Sequence, residues 1–201
     1  MTRATDTLTD DAAGPPSAAM TAAQLLRHHD PLDRRVELVC GRLVVSEPPG
    51  WPHGSVALRA GAAIVRWIDE VTAREGRRPG HAAGNDPGCW IERAPDTVRA
   101  PDVAYVACDR VPLAPENGFL DGAPSLAIEV LSPRDRRTAV REKIDQWLAA
   151  GTALVWTIDP ERREARVHRG DGTVTHVGED GTLDGEGVLP GFVLPLRTLF
   201  D

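Results

Sequence analysis

The sequence predicts an α/β fold in which a mixed central β-sheet is flanked by helices. Apolar residues recur at helical spacing in two long segments, 53–74 and 136–150, and short strand-like apolar runs surround both segments. The length of 201 residues and the hydrophobic fraction of 41% suit one packed domain. We therefore expect a single domain over residues 20–201, preceded by a disordered tail over residues 1–19, which are polar and contain prolines.

The domain begins with a predicted short helix and a β-hairpin. The segment TAAQLLRHHD starts at Thr21, whose hydroxyl is a good helix N-cap. The segment VELVCGRLVVSEPPG then reads as two strands joined by a tight turn at Cys40-Gly41. An amphipathic helix follows from His53 to about Arg74.

The middle of the chain is harder to assign. Residues 76–101 are rich in Gly, Pro and Asp, so we expect mostly loop there, with one short strand at 89–92. Further strands are predicted at 103–107 and 126–131. A loop that contains several prolines separates these two strands.

The last third predicts a helix and an antiparallel extension of the sheet. The helix at 136–150 ends before Gly151, a residue type that is common just beyond helices. Three alternating segments follow, ALVWTID, EARVHRG and TVTHVG, and polar turns join them. The final segment LPGFVLPLRTLF predicts one more apolar strand or clip.

Composition excludes several functional classes. No apolar run reaches the roughly 18 residues that a membrane span needs, and the first residues lack the pattern of a secretory signal, so we expect a cytoplasmic protein. The three cysteines show no spacing typical of zinc ligands. The net charge of −7 argues against coating of nucleic acid through bulk electrostatics, although an enzyme with a local basic rim remains compatible with it.

Glu129 is the most informative carboxylate. In PSLAIEVLSP, strand alternation places Leu126, Ile128 and Val130 on one face and Glu129 on the other, among apolar neighbours. A buried carboxylate needs a metal, a basic partner or a raised pKa, because an unpartnered buried charge is costly. The alternative is a strand near the sheet edge that leaves Glu129 in solvent.

Two further carboxylates are candidates with weaker individual signals. Asp102 follows Pro101 at the entrance of a predicted strand, where it could project into a cleft or cap a turn. Together with Glu129 on a neighbouring strand, it would offer the oxygen ligands that Mg²⁺ prefers. Glu37 lies in the first strand and could equally be a solvent-facing hairpin residue.

Lys143 is the one lysine among 23 basic residues. It lies on the helix after the Glu129 strand, beside the apolar stripe, and could reach back toward Glu129. A compact ammonium can sit beside a water and shift its pKa, which a guanidinium cannot do. There are two alternatives. The lysine could have survived by chance in an arginine-rich composition, or it could lie on the helix surface.

Basic residues and a histidine surround the proposed site in sequence. Four arginines between Glu129 and Lys143 could bind phosphates, although acidic neighbours make an ordinary solvated helix start an equal alternative. This cluster consists of Arg134, Arg136, Arg137 and Arg141. His53 opens the first long helix and could carry protons or be structural.

These residues resemble a family of nucleases. The strings VELVCGRLVVSEPPGWPHG, VRAPDVAYV, PSLAIEVLSP, REKIDQWLAAGTALVWTIDP and LPGFVLPL resemble, in this order, the Uma-type family of "putative restriction endonucleases" in the PD-(D/E)xK superfamily. The resemblance runs from about residue 21 to residue 200. It implies a restriction-endonuclease-like fold, Mg²⁺ or substitute Mn²⁺ as cofactor, DNA as substrate and a homodimer.

The resemblance also implies roles for individual residues. Asp102 and Glu129 would bind the metal, Glu37 would support it, and Lys143 would be the catalytic lysine. We also expect the carbonyl of Val130 to be a metal ligand. One departure from the superfamily motif is Leu131, which stands where the simple pattern has lysine. In similar proteins that lysine has moved to the following helix, where Lys143 stands.

Two other functions remain open at this stage. The chain could keep the nuclease fold without turnover, as a binding or regulatory module that acts as a dimer. Alternatively, the three residues Asp102, Glu129 and Lys143 could form a satisfied ion-pair network in a structural domain. Metal binding and cleavage distinguish these alternatives from a metal-dependent endonuclease.

Overall fold

A computed structural model describes residues 19–32, 34–110 and 118–201. Residues 1–18 of the predicted disordered tail lie outside the described residues. Residues 111–117 of the predicted proline-containing loop also lie outside them. None of the described helices is long and apolar enough to cross a membrane.

The described chain contains three α-helices and thirteen strands. The helices are α1 (Ala22–Leu25), α2 (Trp51–Glu75) and α3 (Arg137–Ala149). The strands are β1 (Arg35–Val39), β2 (Arg42–Ser46), β3 (Gly80–Gly84), β4 (Cys89–Glu92), β5 (Thr97–Arg99), β6 (Val103–Ala107), β7 (Leu120–Asp121), β8 (Leu126–Val130), β9 (Leu154–Asp159), β10 (Glu164–Arg169), β11 (Val174–Val177), β12 (Thr182–Asp184) and β13 (Val193–Pro195). Short 3-10 helices cover Cys108–Arg110 and Leu196–Leu199.

A six-stranded mixed sheet forms the centre, in the order β11-β10-β9-β8-β6-β3. Only β8 and β9 run parallel, and α3 connects them, as a parallel pair requires a crossover. The long helix α2 packs on one face with the larger core, while Ile144 and Trp147 of α3 pack on Ala127 and Val155 of the other face. The predicted mixed sheet between helices, with an antiparallel C-terminal extension, is confirmed.

A second sheet of five strands, in the order β2-β1-β5-β4-β7, contains the predicted hairpin. At its turn, Cys40 and Gly41 have φ values of 48° and 74°. Two successive positive φ values fit the two-residue turns that match the twist of a hairpin. Strands β1 and β5 pair antiparallel, and this pairing brings residues 35–37 close to residues 99–102.

Most residues of 76–101 lie outside strands, as predicted, but the prediction of a single short strand there is wrong. Strands β3 and β5 lie there in addition to the expected β4. The sequence GHAAG of β3 has little strand propensity, but it completes the edge of the central sheet through five aligned pairs with β6. Pairing and packing decide strand formation there, and intrinsic preference does not.

Helix ends follow the sequence signals closely. Thr21 and Gln24 form a reciprocal capping box at the start of α1. Gly76 ends α2 with a φ of 69°, and Gly151 follows α3 with a φ of 94°. The final segment forms β13, which pairs antiparallel with β12, as expected for one more strand.

Candidate active site

Glu129 lies in the middle of β8 and points to the α3 side of the central sheet. Its neighbours Ile128 and Val130 join the core on the α2 side, so alternation along the strand directs Glu129 to the opposite face. The residue is 8% exposed. Its Oε1 accepts a hydrogen bond from the Trp147 indole at 2.8 Å, and its Oε2 accepts one from Lys143 Nζ at 2.8 Å. A solvent-facing Glu129 at a sheet edge is therefore excluded.

Asp102 lies beside Glu129 at the entrance of the adjacent strand. The antiparallel pairing of β6 and β8 aligns Val103 with Ile128, so the preceding and following residues are neighbours. Asp102 is 5% exposed, and its Oδ2 accepts a hydrogen bond of 2.6 Å from the Val130 N–H. This bond holds the carboxylate against the end of β8.

Two basic side chains also contact Asp102. An Nη atom of Arg35 donates to its Oδ1 at 3.1 Å, and Nε2 of His53 lies 3.3 Å from its Oδ2. His53 is in the first turn of α2, whose positive dipole end favours a nearby carboxylate. The Nδ1 atom of His53 is buried and has no hydrogen-bond partner among the described residues. The sequence leaves a structural or a proton-carrying role open, and this geometry places His53 in the carboxylate cluster.

Glu37 reaches the same place from the second sheet. It is 6% exposed, so the alternative of a solvent-facing hairpin residue is excluded. Its Oε1 accepts from the Ala100 N–H at 2.7 Å and lies 3.1 Å from Lys143 Nζ, while its Oε2 accepts from Arg99 at 2.9 Å. Glu37 thereby connects β1 to the end of β5 and to α3 at the candidate site.

Lys143 bridges the two glutamates from α3. Because Ile144 and Trp147 anchor α3 on the sheet, the lysine side chain extends along the sheet face to Glu129 and Glu37. Nζ also donates a hydrogen bond of 3.0 Å to the Ala100 carbonyl. Three protein oxygens therefore surround the ammonium, which differs from a solvated surface lysine.

The four residues that the sequence singles out for catalysis are thus brought together: Glu37, Asp102, Glu129 and Lys143. Sequence reasoning missed four further members of the cluster, namely Arg35, Asp86, Arg99 and Trp147. The position of Arg35 two residues before Glu37 on one strand is a signal that could have found it, since both side chains share a face. Asp86 contacts Arg35 from the loop between β3 and β4, and no sequence pattern pointed to it. The Val130 carbonyl as a ligand stays a prediction.

The charges of this cluster do not balance. Four carboxylates, Glu37, Asp86, Asp102 and Glu129, face three guanidinium or ammonium groups, Arg35, Arg99 and Lys143. One negative charge remains uncompensated when all seven groups are ionised and the neighbouring His53 is uncharged. Uncompensated charge in a buried site is unfavourable, so the cluster favours an additional cation or a proton.

The pKa values indicate where that proton resides. Burial, together with the charges of Asp102 and Glu37, raises the pKa of Glu129 to about 7, although Lys143 opposes the shift. The pKa of Glu37 is lowered despite burial, because Lys143 and Arg99 stabilise its charge. Burial opposes the charge on Lys143 as well, but Glu129 and Glu37 outweigh it and raise its pKa. Burial also raises the pKa of Asp86, although the charge of Arg35 opposes the shift. Glu129 and Asp86 are therefore the carboxyls at which a proton can reduce the excess negative charge.

Asp102 behaves differently from Glu129 although the two are neighbours. Burial would raise the pKa of Asp102, but the hydrogen bond with His53 and the charge of Arg35 outweigh it and lower the pKa. Two adjacent carboxyls thus have pKa values shifted in opposite directions, a pattern common at functional sites.

The donor chemistry of the cluster fits a hard divalent cation. Carboxylate oxygens on neighbouring strands are the ligands that Mg²⁺ prefers, and the excess negative charge favours a cation. Among the described residues, no group of three or more His, Cys, Asp or Glu side chains has the arrangement of a formed metal site. The oxygens are instead engaged by Lys143 and Arg35, so a cation would share these oxygens with the two basic side chains or displace them.

The arginines after β8 remain exposed. Arg134, Arg136, Arg137 and Arg141 lie in the loop after β8 and on the first turns of α3, and no ion pair within the described part of the chain involves them. Along the chain they follow the strand that contains Glu129. Exposed guanidinium groups without an ion-pair partner among the described residues are suited to phosphate contacts.

Comparisons with known proteins agree on a nuclease fold. Residues 22–197 match the family model Uma2, described as "Putative restriction endonuclease". A solved structure, described as a "putative nuclease belonging to DUF820" from Anabaena variabilis, aligns with a TM-score of 0.72 and 21% identity, covering 90% of this chain and 97% of the other. This likeness shows the fold. No curated protein matches the chain.

Proposed function

The chain belongs to the Uma2 family, and from this membership we propose that it is a metal-dependent endonuclease that hydrolyses DNA phosphodiester bonds with Mg²⁺, or Mn²⁺ in its place. The observation that carries the proposal is the buried cluster in which Lys143 touches two carboxylates while one negative charge stays uncompensated. A purely structural network would have no reason to keep an excess of buried charge.

Asp102 and Glu129 are the residues that would hold the metal, and the Val130 carbonyl is proposed as a further ligand. A bound divalent cation polarises a phosphate and makes a nucleophile available at neutral pH. Glu37 supports the site by positioning Lys143, since the two are 3.1 Å apart. The excess of carboxylates over basic groups in the cluster would favour binding of that cation.

The basic groups act on the substrate side. Lys143 orients the attacking water or stabilises the charge that grows on the phosphate oxygens. His53 donates to Asp102 and holds that carboxylate in place. The exposed arginines from Arg134 to Arg141 bind phosphates on either side of the cleaved bond.

Cleavage of DNA by the purified protein is the direct test. The protein is incubated with supercoiled plasmid or single-stranded DNA in the presence of Mg²⁺ or Mn²⁺. The variants Asp102→Asn and Lys143→Met are assayed in the same way. Nicking that requires the metal and disappears in both variants supports the proposal. Metal binding without cleavage would instead favour the regulatory module, and failure to bind metal would favour the ion-pair network.

Metal affinity is expected to depend on pH through Glu129. Because its pKa is raised to about 7, the carboxyl carries a proton below that pH which a metal must displace. The affinity for Mn²⁺ should therefore rise by up to about tenfold per pH unit below pH 7 and level off above it. Glu37 and Asp102, whose pKa values are lowered, stay ionised near neutral pH and add no slope there. Isothermal titration calorimetry across this range measures the slope.

Glu129→Gln should bind Mn²⁺ more weakly and lose the pH slope. Glu142→Gln, at an exposed position on α3, should retain both the affinity and the slope of the original protein. An unchanged slope in Glu129→Gln would show that another group controls metal binding.

We further propose that the protein forms a homodimer through the outer face of α2. Trp51, Leu58 and Val65 recur every seven residues and are 89%, 74% and 44% exposed. This spacing makes an apolar stripe along one side of a helix, and the small residues Gly54 and Ala62 beside it allow a second helix to approach. Light scattering should find a dimer for the original protein and a monomer for Leu58→Glu. Monomers in both cases would contradict this proposal.

A further inference from the structure

A cavity of about 340 Å³ lies next to the carboxylate cluster, between α1 and the loop that follows it on one side and β1 and β5 on the other. Its size falls in the range of small-molecule sites, roughly 300 to 1,000 Å³. The catalytic residues proposed above do not line it. The cavity is therefore a separate feature that the proposed chemistry leaves without a role.

Two residues connect the cavity to the candidate active site. Asp86 lines the cavity and contacts Arg35, which in turn donates to Asp102. Ala100 also lines it, and its carbonyl accepts the hydrogen bond from Lys143. A group in the cavity would thus lie one side chain away from the place where a scissile phosphate is proposed to bind.

The lining combines apolar and polar residues. The apolar residues include Phe119, Leu26, Val36 and Val98. The polar residues are His28, His29, Asp30, Arg34 and Asp86. Such a lining matches an aromatic heterocycle, whose faces are apolar and whose edges carry donors and acceptors.

Arg34 pairs with Asp30 in the lining of the cavity. Its Nε and Nη2 atoms donate to the two oxygens of Asp30 at 3.1 and 2.9 Å, so the guanidinium plane is fixed by a bidentate pair. A fixed guanidinium plane and an aromatic ring are the surfaces on which unpaired bases stack. The carboxylates of Asp30 and Asp86 in the lining disfavour a phosphate in the cavity itself.

We propose that this cavity binds one unpaired nucleobase of the DNA substrate, adjacent to the cleaved phosphodiester, so that the preferred substrate carries an unpaired nucleotide. The inference rests on the proposed function for the identity of the substrate. In an intact duplex the bases are stacked and expose only their edges in the grooves, so a paired base cannot enter a pocket of this kind.

Binding to two matched duplexes tests the proposal. One duplex carries a single unpaired 2-aminopurine, and the other has the same sequence fully paired. The protein should bind the first at least about fivefold more tightly, the lower end of what stacking of one base contributes. The fluorescence of 2-aminopurine should change when the base enters the cavity.

Two substitutions at the cavity should remove this preference without weakening binding to the paired duplex. Leu26→Glu places a charge at a half-exposed lining position, and Phe119→Ala removes the stacking surface. Leu32→Glu is the matched control, since Leu32 is 71% exposed and is not part of the lining. Circular dichroism checks that the three variants fold.

The outcomes separate this inference from the proposed function. Equal affinity of the original protein for both duplexes overturns the inference, as does a preference that survives in both Leu26→Glu and Phe119→Ala. If the protein cleaves DNA with metal but does not prefer the duplex with an unpaired base, the proposed nuclease function stands and the inference about the cavity is overturned. If the preference for the unpaired base depends on the cavity residues but no DNA is cleaved, the inference about the cavity is supported and the proposed nuclease function is contradicted.

Discussion

Lys143→Met should abolish DNA cleavage while metal binding is retained or tightened. The ammonium lies 2.8 Å from Glu129 and 3.1 Å from Glu37, where it stabilises charge but also competes with a cation for the same oxygens. Loss of one positioned group that stabilises charge in the transition state costs about 100- to 1,000-fold in rate. Removal of a competitor for Glu129 should leave the affinity for Mn²⁺ equal or higher. Plasmid nicking and calorimetry measure the two effects separately.

The same substitution should destabilise the metal-free protein. Without the lysine, Glu37 and Glu129 face each other in a buried site, and breaking a buried pair costs about 3 to 5 kcal/mol. Removing one carboxylate together with the lysine, in Glu37→Gln/Lys143→Met, should recover part of this loss. Urea unfolding of the two variants compares their free energies of unfolding.

Three controls keep the role of Lys143 testable. The double variant should fold and still fail to cleave, which separates catalysis from stability. Lys143→Arg should also fail, because a planar guanidinium does not replace a compact ammonium in contact with two carboxylates. Arg74→Met, at an exposed position near the end of α2, should cleave normally. Normal cleavage by folded Lys143→Met would show that the lysine has no catalytic role.

Asp102→Asn should lose both cleavage and tight metal binding. The carboxylate accepts hydrogen bonds from Val130 and Arg35 and contacts His53, and its charge helps to hold the cation. An amide keeps the shape and can still accept from the Val130 N–H, but it loses the charge. We expect Mn²⁺ affinity to fall by at least about tenfold and cleavage to fall by at least about 100-fold.

Asp145→Asn is the matched control, because Asp145 is exposed on α3. It should keep both the Mn²⁺ affinity and the cleavage rate of the original protein. Thermal unfolding of Asp102→Asn checks that the fold remains, with an expected loss of about 1 to 3 kcal/mol from the changed hydrogen bonds. Unchanged Mn²⁺ affinity in Asp102→Asn would place the metal elsewhere or exclude it.

Most elements of the fold could be predicted from local sequence patterns. Helices α2 and α3 have apolar residues at helical spacing, and β8 and β9 are dense apolar runs, so each carries its own signal. The hairpin turn at Cys40-Gly41 was also predictable, because a glycine favours the positive φ that the turn needs. Such signals come from residues close in sequence.

Strands β3 and β5 could not be predicted in this way. The residues of β3 are mostly glycine and alanine, and they form a strand because β6 offers an unpaired edge. Strand β5 has three residues and depends on its neighbours β1 and β4 for hydrogen bonds. Backbone pairing with distant segments decides both cases.

For the candidate site, too, some features follow from local sequence and others depend on contacts between distant segments. The sequence favoured a buried Glu129, since apolar residues surround it in its strand, and it singled out Lys143 as the one lysine. Only the tertiary structure decided that Arg35, Arg99 and Asp86 join the cluster and that its charges do not balance. The physical reason is that periodicity directs a side chain to a face of its own element. Which charges meet across two sheets and a helix depends on contacts between distant segments, and those contacts set the pKa values and the affinity for a cation.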